Sequence, residues 1–320
     1  MASTTKIMTA LIVLERANLD DEMTVPASAA IEGSSGRLET GERLSVRELL
    51  TALLVASGND AAITLAEGVG GSQQAFVAEM NARARELGLT HTHFANPHGL
   101  DAPGHHSSVR DLVTLASVAM RDPFFRRTVA RRRASIPGPR GVGLRQYESE
   151  NALLDVDSDV DGVKTGMTDD AGFALVAHAR RPALGVQLYA ALIGAPSPAA
   201  RSRGGRRLLD WGFSQYSRAT VVPAGPTLGR VPVQGRPGTS VPYRASSAVT
   251  VPLLLTAPVS QRVVVPAQVR GPVTAGQPLG QVSVLQNGHV IGQSPLVAVE
   301  GAGTPTIWDR FRAGVEALVP

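Results

Sequence analysis

The 320-residue chain contains no cysteine. Disulfides, cysteine-ligated zinc and thiol catalysis are therefore excluded, while the absence itself fits any redox compartment. Aromatic residues are scarce, at 4% against 43% apolar residues overall. That balance suits a packed soluble α/β protein, and neither a disordered nor a collagen-like chain. No apolar run approaches the length of a transmembrane helix, and no export signal is visible. Lysine is far outnumbered by arginine, and the formal net charge is +4. The densest basic stretch is Arg126, Arg127, Arg131, Arg132 and Arg133. No aromatics interleave with it as stacking nucleic-acid readers require, so it reads as a solvated face and no nucleic-acid partner is expected.

What is present is enough sequence for two domains, each with its own core. Ile7, Met8, Leu11, Ile12 and Leu14 fall at helical spacing between Thr4 and Leu19. The pattern returns over 44–56, where Ser45 and Glu48 have the spacing of a capping box. Helices are also expected over 60–67, 72–87 and 108–120, with Gly88 and Pro123 as stop signals for the last two. Strand-like runs follow at 162–165, 173–179 and 186–193, an antiparallel meander, and a helix over 199–216 closes the region. Beyond about Thr220 the chain turns rich in Val, Pro and Gly and reads as a small all-β domain. Asn287-Gly288, between apolar residues, signals a two-residue hairpin. In 305–320, Ile307, Trp308, Phe311, Val315 and Leu318 share one helical face.

Three short motifs carry chemistry. Ser3-Thr4-Thr5-Lys6 opens an amphipathic helix. Residues three apart share a helix face, so the Lys6 amine can reach the Ser3 hydroxyl. Serine is a poor nucleophile until a base takes its proton, and a lysine serves if burial and nearby cations lower its pKa. Ser57-Gly58-Asn59 falls in a turn between two apolar helices, where a hydroxyl and an amide suit a proton relay and a substrate clamp. Lys164-Thr165-Gly166 belongs to an edge strand that could pair with an extended substrate, and Gly166 permits close approach. Each motif alone also fits an ordinary N-cap, a helix-ending turn or a strand with a solvated lysine; their order is far more specific. The histidines His91, His93, His98, His105 and His106 are close together, but no helical H-x-x-x-H pair exists and no metal site or cofactor is expected.

In this order the motifs resemble the low-molecular-mass penicillin-binding proteins, the serine D-alanyl-D-alanine carboxypeptidases. The segments 2–10, 57–62, 96–101, 161–166 and 208–213 look similar to that family as well. The resemblance implies an α/β fold of the α+β type, with helices packed on an antiparallel sheet and a small all-β domain after it. It implies a catalytic domain over 1–218, a β-rich stalk over 219–302 and an amphipathic helix over 303–320 lying on a membrane surface. It implies removal of the terminal D-alanine from peptidoglycan stem peptides, covalent inhibition by β-lactams, and an extracytoplasmic location. Ser3 would be the nucleophile, Lys6 the general base, Ser57 the proton relay and Asn59 a clamp on the substrate amide. Lys164 would supply positive potential and help orient Ser57. Thr165 and Arg201 would bind the terminal carboxylate, with Gly166 admitting the substrate backbone. Backbone N–H groups of Ser3 and Met167 would form the oxyanion hole, where one lost donor typically costs about 3 kcal/mol.

There are departures. No Glu-x-x-Leu-Asn segment follows Asn59, so a β-lactamase deacylation base has no candidate. An arginine expected near Asn151 is absent, and Glu150 and Ala152 flank that asparagine. The nucleophile stands at position 3, so a signal peptide and initial strands are expected ahead of it. A DD-endopeptidase of the same family, or a non-catalytic wall-binding module, are the competing readings.

Overall fold

The computed structural model describes residues 1–309. Two compact units divide it: 1–181 with 187–213, and 182–186 with the chain from Ser214 on.

The first unit opens on a 3-10 turn, Ala2–Thr5, that runs into α1 (Lys6–Arg16). Every residue of α1 from Lys6 to Val13 is buried, so this helix is the centre of the unit. A small β1 (Glu22–Thr24) and β2 (Arg43–Ser45) ladder precedes α2 (Val46–Val55). Ser45 caps α2 in the expected box: its hydroxyl accepts from the Glu48 N–H while the Glu48 carboxylate accepts from the Ser45 N–H. Then come α3 (Asn59–Gly70) and α4 (Gln73–Glu86), the latter capped by Ser72 and closed by Gly88 at φ +70°. α5 (Val109–Ala119) is capped by Ser108.

Pro123 does not act as the stop expected of it. α5 ends on its own at Ala119, and Pro123 instead opens α6 (Pro123–Val129), capped by the Asp122 side chain. At the first helical position proline loses no hydrogen bond, and its fixed φ already suits the helix. The basic run therefore starts on a short helix, and continues into a β3 (Arg133–Pro137) and β4 (Leu144–Glu148) hairpin that the apolar pattern did not reveal.

After the single turn α7 (Leu153–Val156), three antiparallel strands follow: β5 (Val160–Thr168), β6 (Gly172–Arg181) and β7 (Val186–Ala195). Their order is β5-β6-β7, which leaves β5 on the edge as its sequence suggested. The helix α8 (Pro198–Ser214) completes the unit, and Phe76, Phe94, Phe125, Ile7 and Leu49 are among the side chains filling its interior. This is the α+β architecture, helices with an antiparallel sheet.

The second unit is all β. A sheet of order β12-β13-β14-β10-β9 is built from β9 (Thr227–Pro232), β10 (Ser240–Ala245), β12 (Val259–Val264), β13 (Pro278–Gln286) and β14 (His289–Ala298). A separate pair joins β8 (Tyr216–Val222) to β11 (Val249–Leu254). Asn287-Gly288 turns β13 into β14 with φ of +52° and +78°, as the two-residue turn requires. Val222, Val231, Val241, Val282, Val284 and Leu296 make a valine-rich core. At the end, Thr306 caps the helical residues Ile307–Asp309, its hydroxyl accepting from the Asp309 N–H at 3.2 Å. The remainder of the expected terminal helix lies outside the described residues. Among the described residues, no helix is long and apolar enough to cross a membrane.

Candidate active site

The backbone of Ser3 is wedged between two glycines. On one side Gly99 has φ +97°, and a Cβ there would run into the Ala2 carbonyl oxygen. On the other side Gly166 of β5 lies so close that an added Cβ would sit 2.7 Å from the Ser3 nitrogen. Thr5 ties the same turn down. Its hydroxyl lies 2.9 Å from the Ala2 carbonyl oxygen and 2.9 Å from His105 Nε2. The His105 Nδ1 accepts from the Ala95 N–H at 2.9 Å. The first turn is thus held by the loop before α5 and by the edge strand together.

One turn further on, Lys6 is fully buried. Its Nζ lies 2.8 Å from Ser3 Oγ, 2.7 Å from Asn59 Oδ1 and 2.7 Å from the His98 carbonyl oxygen. Asn59 Nδ2 donates to the Glu32 carbonyl at 2.8 Å, which fixes Oδ1 toward the lysine. Two of the three partners can only accept. A neutral amine has two N–H groups and one lone pair, so the lone pair is left facing the Ser3 hydroxyl. Burial and then the charge of Lys164 hold the ammonium form well below its usual pKa, with Asp60 and Glu150 opposing. The electrostatics favour the neutral base, and the geometry places it against the Ser3 hydroxyl.

Ser57 sits at φ +59° between α2 and α3, a left-handed conformation few non-glycine residues adopt. The turn places Ser57 on the same cavity as Ser3. Next to it, Asp60 organises the facing loop. Its carboxylate accepts from the Gly36 N–H at 2.8 Å, the Leu38 N–H at 3.1 Å and the Ser35 hydroxyl at 2.6 Å. The Asn59 N–H donates to the Ser34 carbonyl at 2.7 Å. The loop over 32–38 is therefore fastened to the start of α3, and Ser34 lines the cavity.

Lys164 and Thr165 are buried in mid-β5. Lys164 Nζ donates to the Thr165 carbonyl at 3.0 Å and, among the described residues, makes no hydrogen bond to Ser57. Burial pushes its pKa down to about 8, opposed by Glu150 and aided by Arg201. Arg201, on α8, is buried too; it donates to the Glu150 carbonyl at 2.8 Å, and burial lowers its pKa despite Glu150. The cavity of about 330 Å³ is lined by Ser3, Ser57, Gly166, Met167 and Arg201, joined by Glu150, Phe173 and Pro198. Lys6, Asn59, Lys164 and Thr165 are buried and do not line it; Lys6 reaches it through Ser3, and Lys164 and Thr165 precede Gly166 on β5. Among the described residues no group of His, Asp and Glu side chains could hold a metal ion.

Sequence reasoning missed Asp60, the His98 carbonyl and the loop over 32–38, since backbone acceptors and loop clamps leave no side-chain pattern. It also passed over a usable signal. The chain has only two lysines, Lys6 and Lys164, among its 31 basic residues. Both lie in this site. Arginine cannot deprotonate in a protein and lysine can, so a chain otherwise built with arginine keeps lysine where the proton matters.

The fold is that of the serine penicillin-binding DD-peptidases. The family model described as D-alanyl-D-alanine carboxypeptidase matches residues 1–197, and the model of the penicillin-binding protein 5 C-terminal domain matches 216–302. The D-alanyl-D-alanine carboxypeptidase DacF of Bacillus subtilis is 31% identical over 93% of this chain and 78% of its own length. DacB2 of Mycobacterium tuberculosis, another D-alanyl-D-alanine carboxypeptidase, is 36% identical over 69% of this chain and 76% of its own. The crystal structure of penicillin binding protein 5 from Haemophilus influenzae superposes with a TM-score of 0.65 at 29% identity, covering 94% of this chain and 90% of that one. The chain belongs to the D-alanyl-D-alanine carboxypeptidase family of serine peptidases.

Proposed function

We propose that the protein removes the terminal D-alanine from peptidoglycan stem peptides through an acyl-enzyme on Ser3. The observation that carries this reading is the buried Lys6 amine, whose Nζ lies 2.8 Å from Ser3 Oγ and is held there by Asn59 Oδ1 and the His98 carbonyl, each at 2.7 Å. Ser3 Oγ attacks the carbonyl carbon between the two D-alanines while its proton passes to Lys6 Nζ. The oxyanion is met by the backbone N–H groups of Ser3 and Met167. Collapse breaks the C–N bond, and the leaving amine takes a proton relayed through the Ser57 hydroxyl. Water, deprotonated at Lys6, then attacks the Ser3 ester and frees the shortened peptide.

Asn59 clamps the substrate amide, and Gly166 lets the substrate backbone run beside β5. Thr165 and Arg201 receive the terminal carboxylate, and Lys164 adds positive potential behind it. A cavity lined by Arg201 suits a substrate that ends in a free carboxylate, which supports the carboxypeptidase over the endopeptidase reading. A strained β-lactam presents the same carboxylate and carbonyl and acylates Ser3. The protein works outside the cytoplasm, where its substrate is. Residues 219–302 act as a stalk, and 303–320 rest on the membrane surface; the exposure of Ile307 and Trp308, 85% and 78%, supports this. Deleting 305–320 is expected to abolish liposome binding; unchanged binding with a lower melting temperature would contradict the anchor.

The direct test is incubation with a pentapeptide ending in D-Ala-D-Ala and assay of free D-alanine. Cleavage of cross-linked dimers alone would favour the endopeptidase. Stable acylation without any turnover would favour a non-catalytic module.

A further inference from the structure

A second polar cavity, of about 430 Å³, opens in the first unit away from Ser3. Its lining includes Arg121, Arg126, His178, Arg180 and Tyr189. Five elements contribute: α5 and the turn after it, helix α6, and strands β6 and β7. His178 is 2% exposed. Its Nδ1 is taken by the Asp161 carboxylate in a short contact, and its ring packs on Tyr189 with centroids 4.5 Å apart. The His178 Nε2 is buried and has no hydrogen-bond partner. A buried nitrogen of this kind demands an explanation.

The arginines around it are short of anions as well. The Arg121 side chain makes no hydrogen bond or ion pair among the described residues. The Arg126 side chain donates only to the Met120 carbonyl, at 3.0 Å, and Arg180 pairs with Asp161 at 2.6 Å. Three guanidinium groups against the single carboxylate of Asp161 leave the cavity two formal positive charges. Planar guanidinium donors from separate elements match tetrahedral oxyanions. A monocarboxylate would leave one of those charges uncompensated, whereas a phosphate monoester at neutral pH brings close to two negative charges.

We propose that this cavity is a second ligand site, separate from the Ser3 cleft, which takes the dianionic phosphoryl group of a phosphate monoester. Arg121 and Arg126 bind the phosphoryl oxygens from one wall and Arg180 from the other, and His178 Nε2, an acceptor while Nδ1–H is given to Asp161, takes a hydroxyl of the esterified alcohol. The cavity is larger than a phosphoryl group, so it has room for part of the esterified molecule. It also explains one member of the basic run. Arg132 and Arg133 are spent on Glu148 and Asp155, whereas Arg126 turns into this pocket.

The test is calorimetric titration of the full chain with glycerol 3-phosphate, with malonate as the carboxylate comparison. Sedimentation with phosphatidylcholine vesicles, with and without phosphatidic acid, runs beside it. Binding of glycerol 3-phosphate identifies a soluble ester as the ligand source; binding of the phosphatidic acid vesicles alone identifies a lipid headgroup. In either case Arg121→Glu, an exposed turn substitution, should weaken binding about tenfold or more. It should leave the melting temperature and D-alanine release unchanged. Arg201→Ala should leave the binding intact. Failure of both probes to bind, equal binding of malonate, binding unaffected by Arg121→Glu, or loss only in Arg201→Ala would each overturn the proposal.

Discussion

In the first unit Lys6, Asp60, Asp111, Arg145, Lys164 and Arg201 are all buried; in the second, among the described residues, the buried polar side chains are Gln286 and Ser294. The difference is not simply that one interior is more polar. Gln286 is fully engaged, accepting from the Leu254 N–H and donating to the Leu254 and Ala257 carbonyls. Arg145 is likewise matched, with two bonds to Glu42 at 2.8 and 2.6 Å. Such groups hold structure. Lys6 and Lys164 are different: each is buried, neither has a carboxylate partner among the described residues, and burial, then a like charge nearby, lowers the pKa of each, the charge being Lys164 for Lys6 and Arg201 for Lys164. A buried ammonium without a counter-ion costs stability, and its usual response is a lowered pKa. The contrast teaches that the mark of chemistry in this protein is buried charge left without a partner, since buried charge as such occurs at structural positions too.

The comparison can be broken at several points. Ser3→Ala should have the largest effect, lowering D-alanine release by at least about 10³-fold with little change in melting temperature. Lys6→Arg should be nearly as damaging as Lys6→Ala, because arginine keeps the charge but cannot give up its proton. If Lys6→Arg retained activity, the role of Lys6 would be electrostatic and the lone-pair account would fail. In the second unit Leu296→Ala should cost roughly 2–5 kcal/mol of stability, by calorimetry or denaturant melting, and leave the acylation rate of the folded protein unchanged. A changed acylation rate would show that the two interiors are not separable in function.

The smallest expected effect is on pH dependence. Lys6 must be neutral to accept a proton, and its pKa is depressed, so the rising limb lies well below the ordinary lysine range. Lys164 must stay charged, and it is charged below a pKa of about 8 and neutral above it. Activity should therefore fall as pH rises through about 8. Lys164→Arg should remove that falling limb, because the guanidinium stays protonated there. A falling limb that persists unchanged in Lys164→Arg would assign the titration to another group.

Much of this was legible in the sequence, for reasons visible in particular residues. The periodicity of Ile7, Met8, Leu11 and Ile12 marked α1 because these side chains recur at helical spacing and all are buried. The Ser45–Glu48 box and the Asn287-Gly288 turn were readable because each is a local device satisfied by adjacent atoms. Pro123 misled because proline is equally at home just inside a helix start, and only Asp122 capping the Phe125 N–H decides between the two. The β3–β4 hairpin escaped because its faces are short and charged, with Arg133 paired to Glu148 across it. At the site the residue types were legible, but the clamps were not. His98 acts through a backbone carbonyl, Gly99 and Gly166 through the absence of a Cβ, and Asp60 through a loop 22 to 25 residues away.

The account rests on Ser3 as the atom that becomes acylated, and intact-mass spectrometry of penicillin-treated protein tests it most directly. One adduct of the penicillin mass should appear and map to the peptide containing Ser3, and with no glutamate base for rapid deacylation it should persist. In Ser3→Ala it should be absent. An adduct that survives in Ser3→Ala, or that maps to Ser57, would contradict the assignment.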